Sequence, residues 1–257
     1  DCMGLLPGKV TVITGAGRGL GKALALRFAR EGSSVVLAGR SYDLLGKVCD
    51  EIRASGGEGF PVRMDVRDPH SVAQAVEEAA SRFGRIDVLI NNSGISMVSP
   101  SESLSHEDWK NAIDTNLSGV FFCSRAVAAH MIDQGISGCI INISSTFGKT
   151  PVPRRAAYCA SKAAVDMLTR VLAAEWAEKK IRVNAIAPGY LKTEFIQQLE
   201  EQGKLDTRSL KKRIPQGRIG SAEEITGMAV FMAGDEATYM TGSVVYIDGG
   251  WTAYGFV

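Results

Sequence analysis

The sequence lacks any apolar run near the about 18 residues that a membrane-spanning helix needs, and it lacks any block of like charge. Its 29 lysines and arginines stand against 28 aspartates and glutamates, a net charge of +1. A nucleic-acid or membrane surface calls for a face of one sign, so neither partner is expected. Cysteine is sparse: Cys2, Cys49, Cys123, Cys139 and Cys159 are odd in number, scattered, and without metal-ligand spacing. That pattern argues against a disulfide framework and for reduced thiols in a cytoplasmic protein. The three histidines, His70, His106 and His130, are equally scattered, so no metal site is expected. The stretch Asp1-Cys2-Met3-Gly4 has no basic region leading into an apolar one, as a secretory signal would. No linker, repeat or low-complexity segment interrupts the chain.

What is present is alternation. Hydrophobic residues make up 45% of the 257, enough for a full core. Short β-rich runs take turns with helical stretches from one end to the other. The strands are expected at 10–14, 34–38, 60–64, 86–91, 138–143, 181–187 and 243–247. Helices are expected at 21–30, 42–54, 69–83, 105–134 with a break near 116–119, 155–179, 194–213 and 222–233. Strands separated by helices imply parallel pairing. The fold class is therefore α/β: one doubly wound, Rossmann-type parallel sheet with helices on both faces, a single domain over residues 1–257.

The chemistry is concentrated in a few places. The first strand runs into Thr14-Gly15-Ala16-Gly17-Arg18-Gly19-Leu20-Gly21. Glycines there permit a tight turn and let a diphosphate approach the backbone, while the next helix offers free N–H groups. Tyr158 and Lys162 stand four apart in a helical run, hence on one face. A nearby cation stabilises a phenolate, so Lys162 is expected to lower the pKa of Tyr158 and fit it for proton transfer.

This spacing of glycines, joined with Tyr158-x-x-x-Lys162, resembles the classical short-chain dehydrogenase/reductase family over roughly residues 8–250. Asn91-Asn92-Ser93-Gly94 is similar to the family's Asn-Asn-Ala-Gly segment, with Ser93 in place of the alanine. The resemblance implies a mechanism and a set of roles. Tyr158 would exchange a proton with the substrate oxygen, and Ser145, thirteen residues earlier, would hydrogen-bond that oxygen. Lys162 would tune Tyr158 and bind the nicotinamide ribose. Asn116, at the helix break, would support a water that relays protons. The cofactor would lie against Thr14, Gly15, Gly17, Arg18, Gly19, Leu20, Gly21, Asp65, Val66, Asn92, Ser93 and Gly94, and against Pro188, Gly189, Leu191 and Thr193 beyond the sixth strand.

The second strand ends Leu37-Ala38-Gly39-Arg40. An acidic residue there would bind a ribose 2′-hydroxyl and repel a 2′-phosphate. Gly39 occupies that position, and the guanidinium groups of Arg40 and Arg18 suit a phosphate, so NADP(H) is favoured over NAD(H). The partner is a small-molecule alcohol or ketone. A lid is expected at about 190–215, with Phe195, Leu199 and Leu205 among polar neighbours. The ending Asp248-Gly249-Gly250-Trp251-Thr252-Ala253 is similar to sugar and polyol dehydrogenases of the family, with a 3-oxoacyl-thioester reductase as the alternative and a non-catalytic redox sensor as the other class. Trp109, Trp176 and Trp251 are expected in packing, and one of Arg154 and Arg155 in the pocket. The apolar stripes around Val120 to Ala129 and Ala156 to Leu172 are too wide for one buried face. A homo-oligomer is expected, by resemblance a homotetramer.

Overall fold

The computed structural model describes residues 4–192 and 207–255. Seven strands form one parallel sheet in the order β3-β2-β1-β4-β5-β6-β7. They are β1 Val10–Thr14, β2 Ser34–Gly39, β3 Gly59–Arg63, β4 Val88–Asn91, β5 Cys139–Ile143, β6 Arg182–Pro188 and β7 Val244–Ile247. The helices are α1 Gly19–Arg30, α2 Tyr42–Ala54, α3 Pro69–Phe83, α4 His106–Ile113, α5 Gly119–Asp133, α6 Ala156–Trp176, α7 Thr207–Arg213 and α8 Glu223–Ala233.

The central strands are buried on both faces, which is why they read as continuous Val/Ile/Leu runs rather than alternating ones. On one face α1, α2 and α8 pack through Leu24, Phe28, Leu45, Ile52, Ile225 and Met232. On the other α3, α5 and α6 pack through Val72, Val76, Val127, Met131 and Leu172. Strand order reverses between β1 and β4, and such a switch point leaves a crevice outside the strands' carboxyl ends.

Two expected boundaries move. Ile86 is fully buried but lies before β4, which begins at Val88. The helix break expected near 116–119 is a π-turn over Asp114–Ser118, continuous with α4 and α5. Its widened turn brings Asn116 to zero exposure. Just after it, a Cβ on Gly119 would stand 2.8 Å from the Val66 side chain, so the helix can pass β3's exit only with glycine there. The segment 194–206 of the helix expected at 194–213, with Phe195, Leu199, Leu205 and most of the lid, lies outside the described residues.

Buried amides tie the layers together. Asn91 Nδ2 donates to Ser124 Oγ and to Asn142 Oδ1, each at 2.9 Å. Asn142 Nδ2 donates to Thr169 Oγ1 at 2.9 Å, and that hydroxyl donates to the Val165 carbonyl at 2.8 Å. This chain of bonds joins α5, β4, β5 and α6 where no water competes, so its loss leaves polar atoms unpaired. The outer faces of α5 and α6 carry exposed Phe121, Ile132, Met167 and Val171, the second apolar face anticipated from the width of their stripes.

Replacing Asn142 by Ala strips partners from both Asn91 and Thr169. We expect a loss of about 1–3 kcal/mol in urea unfolding with an unchanged slope. A loss below about 0.5 kcal/mol would mean the chain of amides does not carry that stability.

Candidate active site

The crevice is floored by the turn after β1. Thr14 ends that strand, and its Oγ1 accepts from the backbone N–H of Asn92 and of Ser93, both at 3.0 Å. Asn92 Nδ2 donates back to the Thr14 carbonyl at 3.0 Å, so the exits of β1 and β4 are fastened together. Gly15 and Gly19 have φ of +68° and +55°, the left-handed region that glycine enters freely. A Cβ on Gly21 would stand 2.1 Å from the Gly15 carbonyl oxygen, and one on Gly17 3.0 Å from Leu44. Leu20 packs on the core beneath. The α1 N-terminus has no side-chain cap and no acidic residue in its first turn. Its donors and the positive end of its dipole therefore face the crevice uncompensated, a fit for a diphosphate.

Outward along the crevice, Gly39 ends β2, and a Cβ there would make ordinary contact with Leu45 at 3.5 Å. Arg40 and Arg18 are exposed beside it. Asp65 is held by Arg67 at 2.6 Å, and that hydrogen bond is the main reason its carboxyl lies below the usual range. Val66 is buried next to it. On the far side, Gly189 follows Pro188, donates to the Ile247 carbonyl at 2.9 Å, and leaves no room for a Cβ against Asp248 at 2.8 Å. Leu191 pairs with Gly220 in an isolated bridge and packs on the core. Thr193 lies outside the described residues.

Between these two halves sit the titratable groups. Ser145 leaves β5 and caps the short turn Thr146–Gly148, its Oγ accepting from Phe147 N–H at 3.2 Å. The Ser145 side chain faces Tyr158, in the first turn of α6, and favours the ionised form of its phenol. One turn on, Lys162 is 4% exposed, donates from Nζ to the Ile143 carbonyl at 2.7 Å, and lies 5.7 Å from the Tyr158 ring centre. Asn116 clasps the Ile95 backbone through both side-chain atoms at 2.8 and 2.9 Å, and its Nδ2 also donates to Ser161 Oγ at 3.1 Å. A Cβ on Gly94 would make ordinary contact with Asn116 Oδ1 at 3.4 Å and Lys162 Nζ at 3.7 Å, so both groups border this glycine.

The electrostatics differ from the expectation. The Tyr158 phenol is not acidified by Lys162: burial pushes it up, and what opposes burial is the Ser145 side chain and the charge of Arg155. Burial likewise disfavours the charged form of Lys162 and pulls it down to about 8, with Asp166 holding it up. A cation so far withdrawn from water, with its ammonium aimed at a carbonyl, acts on the phenol less than helical spacing suggests.

All four expected catalytic positions, Asn116, Ser145, Tyr158 and Lys162, are brought into one neighbourhood with the glycine turn. Several neighbours were not foreseen. Phe147, Tyr190 and Trp251 form edge-to-face pairs at 5.6, 6.5 and 5.4 Å, and Phe147 also meets Tyr158 at 6.2 Å. Trp251, expected only in packing, thus belongs to an aromatic wall beside the phenol. Of the two arginines it is Arg155 that bears on Tyr158 and Tyr190, while bonded to Ser96 Oγ. No spacing links residues 147, 190 and 251, so only the fold reveals the wall. Among the described residues no group of His, Cys, Asp and Glu could hold a metal ion.

A family model described as enoyl-(acyl carrier protein) reductase matches residues 15–252. The chain belongs to the short-chain dehydrogenase/reductase family. It is 41% identical over 251 residues to 3β-hydroxysteroid dehydrogenase 1 of Eggerthella lenta, covering 97% of this chain and 95% of that one. It is 40% identical over 245 residues to a 3-oxoacyl-(acyl-carrier-protein) reductase of Thermotoga maritima, covering 95% and 98%. Among solved structures, a Beutenbergia cavernae protein described as an NAD(P)-dependent gluconate 5-dehydrogenase, with NADP bound at low occupancy, matches with a TM-score of 0.90 and 40% identity over 97% of this chain and 98% of that one. This short-chain dehydrogenase/reductase is thus an NAD(P)-dependent oxidoreductase.

Gly21→Ala drives a methyl group into backbone that cannot yield, so dinucleotide binding should weaken by more than tenfold in a fluorescence titration. Near-native binding would show that the turn tolerates a shift and is not shaped to a diphosphate.

Proposed function

We propose that the protein interconverts a secondary alcohol and a ketone with NADP(H), using Tyr158 as the proton donor and acceptor. The observation that carries this reading is the convergence of the Tyr158 phenol, the Ser145 side chain that favours its ionised form, and the buried Lys162 ammonium 5.7 Å from the phenol ring centre. When bound, the nicotinamide supplies or accepts the hydride. Thr14, Gly15, Gly17, Gly19, Leu20 and Gly21 seat the diphosphate, and Asn92, Ser93 and Gly94 line the ribose side. Asp65 and Val66 border the adenine. Pro188, Gly189, Leu191 and Thr193 hold the nicotinamide end.

Each side chain then has a task. Ser145 orients the substrate oxygen and stabilises charge as it develops there. Tyr158 gives that oxygen a proton in reduction and takes one in oxidation. Because burial disfavours the phenolate, a proton leaving Tyr158 is favoured only once the substrate oxygen carries negative charge. Lys162 binds the nicotinamide ribose and supplies positive charge beneath the phenol. Asn116, with its carbonyl oxygen close to Gly94 and Lys162, supports the water that returns protons from solvent.

Preference for NADP(H) rests on Gly39, on the exposed Arg40 and Arg18, and on the NADP in the Beutenbergia cavernae relative. For the substrate, a sugar or polyol is the leading reading: the gluconate dehydrogenase likeness supports it, and the aromatic wall offers a ring face for C–H groups. The Thermotoga maritima relative supports 3-oxoacyl-thioester reduction as the second reading. A non-catalytic redox sensor is disfavoured because Tyr158 and Lys162 are both in place. We read the whole chain as one catalytic domain with a lid at about 190–215. No helix among the described residues is long and apolar enough to cross a membrane, and a cytoplasmic homotetramer covering Phe121, Met167 and Val171 completes the proposal.

A panel of sugars, polyols, ketones and 3-oxoacyl thioesters, followed at the reduced-nicotinamide absorbance, tests the activity. Tyr158→Phe should cost about 100-fold or more in kcat; full activity in that variant would remove the phenol from the reaction. Gly39→Asp has room for its first carbon and should reverse the kcat/KM ratio from NADP(H) toward NAD(H). A wild type that already prefers NAD(H) would contradict the two-arginine reading. Sedimentation should give a tetramer, and a monomer at micromolar concentration would leave the apolar faces of α5 and α6 unexplained.

A further inference from the structure

One buried carboxyl has no part in the chemistry above. Asp166 lies one turn beyond Lys162 on α6 and is 6% exposed. Its Oδ1 is buried with no hydrogen-bond partner. A carboxylate in that position is costly unless something nearby needs its charge.

Its surroundings show what that is. On its own helix it faces the Lys162 ammonium and the Arg170 guanidinium. From the end of β5 the Ser144 hydroxyl faces it, and from β7 the Tyr246 hydroxyl, and both favour its charged form. Lys149 stands over the Tyr246 ring at 5.1 Å, which places a further cation behind that phenol. The turn after β5 presses on it with no side chain at all: a Cβ on Gly148 would be 3.1 Å from Asp166 Oδ2. Around Lys162 the other facing groups are Tyr158 on the same helix, the Ile143 carbonyl on β5, and Asn116 near Gly94. Asp166 is the one anion in that set.

We propose that Asp166 is a positioning residue, a buried and unpartnered carboxyl that keeps the Lys162 ammonium charged from one helical turn away, against the Ser144 hydroxyl at the exit of β5. The inference rests on the catalytic reading of Ser145 and Lys162, but its physical core does not require turnover. Ser144 connects both ends of the arrangement, since its hydroxyl also lies 3.4 Å from the Lys162 carbonyl. Burial drags Lys162 down to about 8, and Asp166 opposes that pull. The same burial raises Asp166, while Ser144, Arg170, Lys162 and Tyr246 favour its charged form. The sign follows. Removing the carboxylate removes the negative charge that helps offset desolvation of Lys162, so Lys162 must lose its proton at lower pH.

The direct test is an NMR titration of Lys162 in protein labelled at the lysine side chains, its signal identified by loss in Lys162→Arg. Wild type should titrate near 8, and Asp166→Asn should titrate lower by about one unit or more. With substrate, the alkaline limb of the kcat profile should move the same way, a displacement that loosened packing alone does not produce. Tyr246→Phe, which leaves the carboxylate but removes one hydroxyl that favours its charged form, should give a smaller shift in the same direction and serves if Asp166→Asn fails to fold. An unchanged Lys162 titration in either folded variant overturns the proposal. Shifted titrations in an enzyme that turns over no alcohol or ketone would instead reject the catalytic reading and leave the Asp166–Lys162 coupling standing.

Discussion

The structure depends on one ammonium group being kept out of water. Lys162 reaches from α6 under the carboxyl edge of the sheet and donates a hydrogen bond to the carbonyl of Ile143, the last residue of β5. Withdrawing a cation from water is expensive, and proteins tolerate it only where fixed dipoles or opposite charge replace the lost hydration. Here the replacements are a strand carbonyl, a carboxyl one turn away on α6, and the Tyr158 ring. Each must arrive with small error, and much of the sheet's internal bonding serves that end. The amide chain from Asn91 through Asn142 to Thr169 fixes α6 against β4 and β5 a turn or two beyond the lysine.

The two halves of the crevice divide the labour. On the β1 side bare backbone lines the crevice, and glycine is needed where a methyl group would meet the chain, as at Gly21 and Gly15. On the β5 and β6 side, side chains do the work, and hydroxyls, one ammonium and three aromatic rings replace bare backbone. That asymmetry accounts for what varies within such a family. A diphosphate presents the same shape in every relative, whereas the steroid, acyl-thioester and gluconate of the similar proteins' names must be met by different walls.

Much of this was legible beforehand, for physical reasons. The helices at 42–54 and 69–83 fall where their apolar periodicity and flanking turns place them. Buried parallel strands have little choice but to be apolar and β-branched, so β1 to β6 stand out. Other features depend on the third dimension. A π-turn differs from an α-turn by one residue, and nothing in Asp114-Thr115-Asn116-Leu117-Ser118 announces that difference. The aromatic wall joins residues about a hundred apart in sequence, so no window contains it. The direction of the Tyr158 shift follows from how deeply each group is buried, and spacing along a helix says nothing about depth. Asp166 escaped notice for the same reason: in sequence it is an ordinary helical acid.

The central claim is that the Tyr158 and Ser145 hydroxyls act together on one substrate oxygen in front of the buried Lys162. A crystal structure with dinucleotide and an unreactive alcohol or ketone analogue tests it most directly. The account predicts both hydroxyl oxygens within hydrogen-bond distance of the analogue's oxygen, with the Lys162 ammonium on the nicotinamide ribose. An analogue oxygen bound elsewhere, or a Tyr158 hydroxyl turned away with the dinucleotide in place, would contradict it.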